Sequence, residues 1–136
     1  MPTSLDRYIA RFKAADRATR LEALLDLAQK LPPLPPEREG EKDRHRVPEC
    51  QTPVFLWVDV QDGAVSISAD VPRESPTVRG FVSLLIHGLE GATTADVAAL
   101  PDDLLHSLGL DETLGMVRTQ GLTAIVRRIK RLASAA

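Results

Sequence analysis

The recurrence of an apolar residue at every second position on either side of a turn within residues 54–69 limits the folds open to this chain more than any other feature of the sequence. These apolar residues lie before and after the turn at Gln61-Asp62-Gly63: Val54, Leu56, Val58 and Val60, then Val65, Ile67 and Ala69. A period of two around such a turn predicts a β-hairpin with one strongly apolar face. Two strands alone are only marginally stable in water, so this face must pack against helices.

Apolar residues at helical spacing predict two helices before the hairpin. Thr3, with Asp6 three residues later, can cap a first helix that extends to Phe12. Asp16 can cap a second helix, which ends at Pro32 because proline cannot continue the pattern. The second helix carries apolar residues that we expect in the core: Leu21, Leu24, Leu25, Ala28 and Leu31.

Further helices are predicted after the hairpin. Ser75-Pro76 is typical of a cap followed by a first-turn proline, and the helix after it is expected to extend through His87, with Gly88 able to end it. Shorter helical segments are expected at three places: from Thr94, from Pro101 to Leu108 before Gly109, and after a cap at Asp111. Gly121 indicates a break or a close approach. The final helix then continues with an apolar stripe: Leu122, Ile125, Val126, Ile129 and Leu132.

These elements predict an α+β fold, in which a small antiparallel sheet of two to three strands packs against several helices. The third strand would be a short one near His45 to Pro48. A chain of 136 residues with 43% hydrophobic residues suits one compact domain over residues 1–136. Residues 32–46 are rich in proline and charge, which predicts a solvated, partly extended connector. Alternatively, this connector allows the loop after it to adapt when a partner docks.

The charge of the chain argues against some classes of partner. A net charge of -2 and a pI near 5.9 predict binding to neither nucleic acid nor an anionic membrane. No apolar run is long enough to span a bilayer, and the amino terminus lacks a signal-peptide pattern. A single cysteine cannot form an internal disulfide. We therefore expect a cytoplasmic protein with a reduced thiol. The last helix is basic, either because cations are favourable near a helix end or because it meets an anionic partner. Its basic residues are Arg118, Arg127, Arg128, Lys130 and Arg131.

The single cysteine, Cys50, is the candidate nucleophile, because the thiolate is a strong nucleophile and is partly populated near neutral pH. Its position after the connector and between polar residues predicts an accessible loop. Positive charges at Arg44, His45 and Arg46 would favour the thiolate, whereas the carboxylate of Glu49 would disfavour it. The alternative is that Cys50 behaves as a small buried hydrophobic residue.

Other chemistry finds little support in the spacing of residues. The three histidines, His45, His87 and His106, form no metal-ligand motif with Cys50. A cysteine–histidine pair of the protease kind stays open, because its members meet only in space. The chain has no glycine-rich phosphate loop and no pairing of carboxylates typical of acid–base catalysis.

The segment Val47-Pro48-Glu49-Cys50-Gln51-Thr52-Pro53-Val54-Phe55 resembles the cysteine motif of the SufE family, the sulfur acceptors of iron–sulfur cluster assembly. Further resemblances follow in order along the chain: Leu27 to Pro32 is similar to the end of the family's second helix, Thr77 to Phe81 to the start of its middle helix, and Arg118 to Leu122 to its last helix. The chain departs from the common pattern where Glu49 replaces a glycine, which could adopt a positive φ, and where Phe55 replaces a tryptophan, with Trp57 two residues on.

This resemblance implies a sulfur carrier and not an enzyme in its own right. A pyridoxal-phosphate cysteine desulfurase (SufS-like) would take sulfur from L-cysteine, Cys50 would accept it as a persulfide, and the desulfurase would turn over faster. The sulfur would then pass to an iron–sulfur cluster scaffold (SufBCD-like). The pyridoxal phosphate and the cluster would belong to these partners, and this protein would itself hold no cofactor. Glu49, Gln51 and Thr52 are expected to support the cysteine loop, since the side chains of Gln51 and Thr52 can hydrogen-bond within it. The resemblance implies that Arg118, which matches an arginine of the family ahead of the last helix, shapes the surroundings of the cysteine, although Arg118 is equally suited to a surface ion pair.

Two other functions stay open on the sequence alone. The first is a protein-interaction module with an incidental cysteine, whose thiol would resist alkylation in the folded state. The second is a thiol-dependent hydrolase, which would turn over its substrate without any desulfurase.

Overall fold

Helices surround an antiparallel hairpin in the computed structural model, which describes residues 3–135. The elements in chain order are α1 Ser4–Ala14, α2 Arg17–Gln29, a 3₁₀ helix Pro36–His45, β1 Phe55–Gln61, β2 Ala64–Asp70, α3 Pro76–Gly88, α4 Thr94–Ala98, α5 Leu104–Ser107, α6 Leu110–Leu114 and α7 Met116–Ala135. This arrangement confirms the predicted α+β class. Within residues 3–135, no helix has both the length and the apolar character needed to cross a membrane.

The hairpin forms as the sequence predicts. β1 and β2 pair antiparallel in a register that places Gln61 opposite Ala64, which leaves Asp62 and Gly63 as a two-residue turn. Their φ angles of 54° and 80° are both positive, as in the hairpin turns that match the twist of the strands. The prediction of a third strand near His45 to Pro48 is wrong. In the described part of the chain this segment forms only an isolated bridge, between Arg46 and Phe55, before the cysteine loop begins.

The first two helices begin at the predicted caps. The carboxylate of Asp6 accepts a hydrogen bond from the N–H of Thr3 at 3.0 Å, and Asp16 accepts one from the N–H of Thr19 at 2.8 Å. The expected burial of Leu25 is wrong, since this residue is 44% exposed. The buried residues of α2 are Leu24, Leu27 and Ala28. Leu25 therefore lies outside the stripe that α2 buries.

α3 is the central helix and is buried on nearly every side. α2 crosses it so closely that a Cβ at Gly80 would lie 2.7 Å from the carbonyl carbon of Leu24. The adjacent Arg79 donates from Nε to the Ala28 carbonyl at 2.8 Å and from Nη1 to the Val71 carbonyl at 2.6 Å. The Arg79-Gly80 pair therefore connects α2, α3 and the chain that leaves the hairpin.

The proline-rich segment before the hairpin is more ordered than the predicted extended connector. Its 3₁₀ helix, here called the strap (Pro36–His45), lies over the outer face of the hairpin. Arg38 binds Asp59 at 2.6 Å and Lys42 binds Asp70 at 2.7 Å. Composition alone did not predict this structure because the partners of the strap lie on the two strands.

The strap also covers the only tryptophan. The ring of His45 stacks on Trp57 with the ring centroids 4.8 Å apart, and the guanidinium carbon of Arg38 lies 5.7 Å from the Trp57 ring centroid. Trp57 is consequently buried although it is on the outer face of the hairpin. Because the strap ends at His45, it also determines how the chain enters the cysteine loop.

Several helix ends in the second half of the chain differ from the predictions. α5 begins at Leu104 and not at Pro101, and α6 follows Gly109 directly, so that Asp111 lies inside α6 and does not cap it. The interruption before the last helix is at Gly115, whose φ of 83° favours glycine. α7 then runs without a break through Gly121.

Candidate functional site

Cys50 lies in a short loop whose two ends are held in the core. Val47 and Val54 are fully buried, and the N–H of Val47 donates to the carbonyl of Val54 at 2.9 Å. The N–H of Cys50 donates to the carbonyl of Val47 at 3.3 Å. Pro48 and Pro53 flank the cysteine and restrict the backbone of the loop. The loop is therefore compact and joined to the start of the hairpin.

Glu49 causes no backbone strain next to the cysteine. Among the residues that the structure describes, Asp62 is the only non-glycine residue with a positive φ. Glu49 therefore has an ordinary backbone conformation, and a glycine is not required before the cysteine of this chain.

Three segments of the chain surround a cavity of about 380 Å³ beside the sulfur. They are the cysteine loop, the first turn of α3 and the first turns of α7. The structure brings together at this cavity all the site residues singled out in the sequence: Glu49, Cys50, Gln51, Thr52 and Arg118. The start of α3 was not predicted as part of the site, because no local pattern relates that helix to the cysteine.

Two side-chain hydrogen bonds connect the walls of this cavity. Nη1 of Arg118 donates to Oγ1 of Thr77 at 2.8 Å, which joins the start of α7 to the start of α3. Oγ1 of Thr52 donates to Oγ of Ser75 at 3.4 Å, which joins the loop to the start of α3. Ser75 is the N-cap residue of α3, as predicted, but within residues 3–135 its side chain makes no capping hydrogen bond and its hydroxyl contacts the cysteine loop instead.

Cys50 is buried, whereas its sequence context predicted an accessible thiol. The residue is 6% exposed. α7 passes over the loop at Gly121, where an added Cβ would lie 3.5 Å from Sγ of Cys50. Of the two interpretations of Gly121, the break is wrong, and the helix packs there against Cys50 at a distance that would still leave a Cβ in ordinary contact.

Burial raises the pKa of the Cys50 thiol above its ordinary value, because the apolar surroundings disfavour the charged thiolate. A hydrogen bond from the backbone of Thr52 and the positive charge of Arg46 lower the pKa, but their combined effect is smaller. The free protein therefore holds this thiol protonated at neutral pH. Thr52 and Arg46 are the groups that favour the thiolate once the sulfur is less buried.

We expect iodoacetamide to alkylate Cys50 at least about tenfold more slowly in the folded protein than in the urea-unfolded chain at neutral pH, because the folded thiol is buried and less ionised. The pH at which the rate reaches half its maximum is expected to lie above that of an ordinary cysteine. Because folding raises the pKa of Cys50, the protonated thiol also contributes to the free energy of unfolding. This contribution is complete at pH values below the pKa of the unfolded-state thiol and is lost as pH rises through the pKa of the folded-state thiol. Mass spectrometry of the alkylated fraction over time measures these rates, and equal rates in folded and unfolded protein would show an accessible thiol.

The histidines lie away from the sulfur. His45 stacks on the tryptophan, Nε2 of His87 lies 3.0 Å from the carbonyl oxygen of Lys30, and Nδ1 of His106 lies 2.8 Å from a carboxylate oxygen of Asp111. Within residues 3–135, no histidine lines the cavity and no three His, Cys, Asp or Glu side chains are grouped to hold a metal ion. The described residues thus offer Cys50 no imidazole base.

The basic residues of α7 do not act as one group. Arg118 lies at the cavity, whereas Nζ of Lys130 donates to the carbonyl of Leu100 at 2.7 Å and lies 3.3 Å from the carboxylate of Asp102. Lys130 therefore connects α7 to the segment between α4 and α5. This contact gives it a structural explanation that does not require an anionic partner.

The fold and the site together define a class of protein: a small α+β protein with one shielded cysteine, which lies in a loop beneath the starts of two helices. The model of the SufE family, described as an Fe-S metabolism associated domain, matches residues 6–133. The chain belongs to the SufE family.

Individual relatives agree with this assignment. An uncharacterised SufE-like protein of Mycobacterium tuberculosis is 38% identical over 132 residues, covering 96% of this chain and 92% of that protein. The sulfur acceptor protein CsdE of Escherichia coli is 32% identical over 108 residues, covering 78% of this chain and 71% of that protein. The solution structure of a hypothetical protein from Thermus thermophilus matches with a TM-score of 0.87 at 36% identity, covering 100% of this chain and 98% of that chain.

Proposed function

We propose that this protein is a sulfur acceptor, in which Cys50 takes sulfur from the persulfide of a pyridoxal-phosphate cysteine desulfurase. The observation that carries the proposal is the cavity that Cys50 lines, since this residue is otherwise enclosed by its loop and by α7. Membership of the SufE family and similarity to the sulfur acceptor CsdE support it.

The transfer is a displacement at sulfur. Sγ of Cys50, as the thiolate, attacks the outer sulfur of the donor persulfide, the sulfur–sulfur bond of the donor breaks, and the donor cysteine leaves as a thiolate. Cys50 then carries the new sulfur–sulfur bond. Burial holds the free thiol protonated, and the Thr52 N–H and the positive charge of Arg46 are the groups beside it that favour the thiolate needed for the attack.

The other site residues support this step without touching the transferred sulfur. Thr52 holds the cysteine loop through Ser75, and Arg118 holds the mouth of the cavity through Thr77, while Glu49 and Gln51 lie along the loop that forms one wall. Loaded Cys50 would pass its sulfur to an iron–sulfur cluster scaffold (SufBCD-like), and removal of the sulfur would raise the turnover of the desulfurase. The pyridoxal phosphate and the cluster belong to those partners.

The two alternative functions have weaker support. A thiol-dependent hydrolase needs a base, and no histidine among residues 3–135 lines the cavity. An interaction module with an incidental cysteine does not require space beside the sulfur. Since Cys50 is buried, slow alkylation no longer separates these functions, and sulfur loading is the measurement that does.

The test is the intact mass of the protein after incubation with an active cysteine desulfurase and L-cysteine. We expect a gain of one sulfur atom that maps to Cys50 and is removed by a reductant. Release of alanine shows that the desulfurase is active. If the mass stays unchanged with every active desulfurase tried, the protein is not a sulfur acceptor.

A further inference from the structure

Two large apolar side chains are exposed side by side at the start of α7. Met116 is 77% exposed and Val117 is 68% exposed. Leu25, on α2, is the other large apolar side chain exposed among residues 3–135. The positive φ of Gly115 separates α6 from α7, so this pair opens the last helix. Adjacent exposed apolar side chains are typical of interaction surfaces, whereas isolated ones are common on any protein.

One member of this apolar pair lines the Cys50 cavity, and the other is its neighbour in the chain. Val117 lines the cavity, and the next residue, Arg118, forms the hydrogen bond to Thr77 between the two helix starts. Because Cys50 is almost completely buried, a donor must approach its sulfur from the side on which the cavity opens. A protein that brings its own persulfide to this opening therefore also covers the residues around it.

We propose that Met116 and Val117 are the docking surface for the cysteine desulfurase that loads Cys50, an inference that rests on the proposed function above. A small donor molecule would need only the cavity, but a protein donor also buries the rim. Arg118, Glu49 and Glu74 place charges of both signs around the cavity, so charge alone does not select the donor. The apolar pair selects a partner whose persulfide cysteine lies beside an apolar patch.

The double variant Met116→Gln with Val117→Gln tests this docking surface. Glutamine removes the apolar contact but keeps a good helix former at both positions. With a desulfurase and L-cysteine, we expect the protein concentration that gives half-maximal sulfur loading to rise about tenfold, while the maximal rate stays unchanged. Met116→Gln alone, which leaves the lining of the cavity intact, is expected to raise this concentration by a smaller factor.

Leu25→Gln is the matched control, because it makes the same exchange at an exposed apolar position outside the cavity. It is expected to load like the wild type. Iodoacetamide should alkylate Cys50 at the same rate in the wild type, Met116→Gln and Leu25→Gln, which would show that the site itself is unaltered in these two variants.

The outcomes separate this inference from the function on which it rests. An unchanged half-maximal concentration in the double variant, with normal loading of the wild type, overturns the docking surface and leaves sulfur acceptance in place. A fall in the maximal loading rate with no change in the half-maximal concentration also overturns the docking surface, because Met116 and Val117 would then act on sulfur transfer and not on docking. Failure of the wild type to load with any active desulfurase overturns the proposed function together with this inference.

Discussion

Cys50→Ser is expected to fold like the wild type and to accept no sulfur at all. A serine hydroxyl stays protonated near neutral pH and cannot form a persulfide, and the chain has no second cysteine that could replace Cys50. The exchange places a hydroxyl in a buried position, which we expect to cost about 1 kcal/mol of unfolding free energy. Intact mass after incubation with a desulfurase and L-cysteine measures the loading.

Cys50→Ala is the control for this prediction, because it removes the sulfur without burying a hydroxyl. Both variants should be unloaded, and alanine release in the same mixtures should show an active desulfurase. Stimulation of the desulfurase by the wild type should be absent with either variant. Undiminished sulfur loading of Cys50→Ser would defeat the assignment of Cys50 as the acceptor.

The features that the sequence predicted correctly depend on residues that are close together in the chain. The hairpin follows from alternation around Asp62-Gly63, and the first two helices begin at Thr3 and Asp16 because each cap bonds to a residue three positions on. Cys50 was singled out from residue type and from its resemblance to a family motif, and its role as the acceptor stays a prediction. The hairpin turn and the helix caps depend only on residues within a few positions of one another, so tertiary packing did not alter these local structures.

The features that the sequence did not predict depend on partners far along the chain. Cys50 is buried because α7 packs against it at Gly121, and Ser75 and Thr77 at the start of α3 form walls of the cavity. The order of the strap depends on residues of both strands that pair with its cations. Ser75 is the N-cap of α3 as predicted, but the contact of its hydroxyl with the cysteine loop could not be predicted, because Thr52 lies 23 residues earlier in the chain.

Gly80→Ala is expected to destabilise the fold by about 3 kcal/mol, which corresponds to a fall in melting temperature of roughly 10 °C. Within an isolated helix the same exchange would stabilise by about 1 kcal/mol. Here the new Cβ would lie 2.7 Å from the carbonyl carbon of Leu24 and closer still to its oxygen. Because these atoms belong to the backbone of α2, no change of rotamer relieves the overlap, and α2 must move away from α3.

Gly40→Ala is the matched control for this prediction, because nothing lies within 4 Å of a Cβ at Gly40 and the added methyl group meets no obstacle. We expect it to leave stability unchanged or to raise it by about 0.5 kcal/mol. Urea unfolding followed by the fluorescence of the buried Trp57 measures both variants, with a lower midpoint at an unchanged slope for Gly80→Ala. Equal midpoints for the two variants would mean that α2 and α3 do not approach as closely in solution. The presence of glycine at position 80, within the segment Thr77 to Phe81 that resembles the SufE family, would then need an explanation other than helix packing.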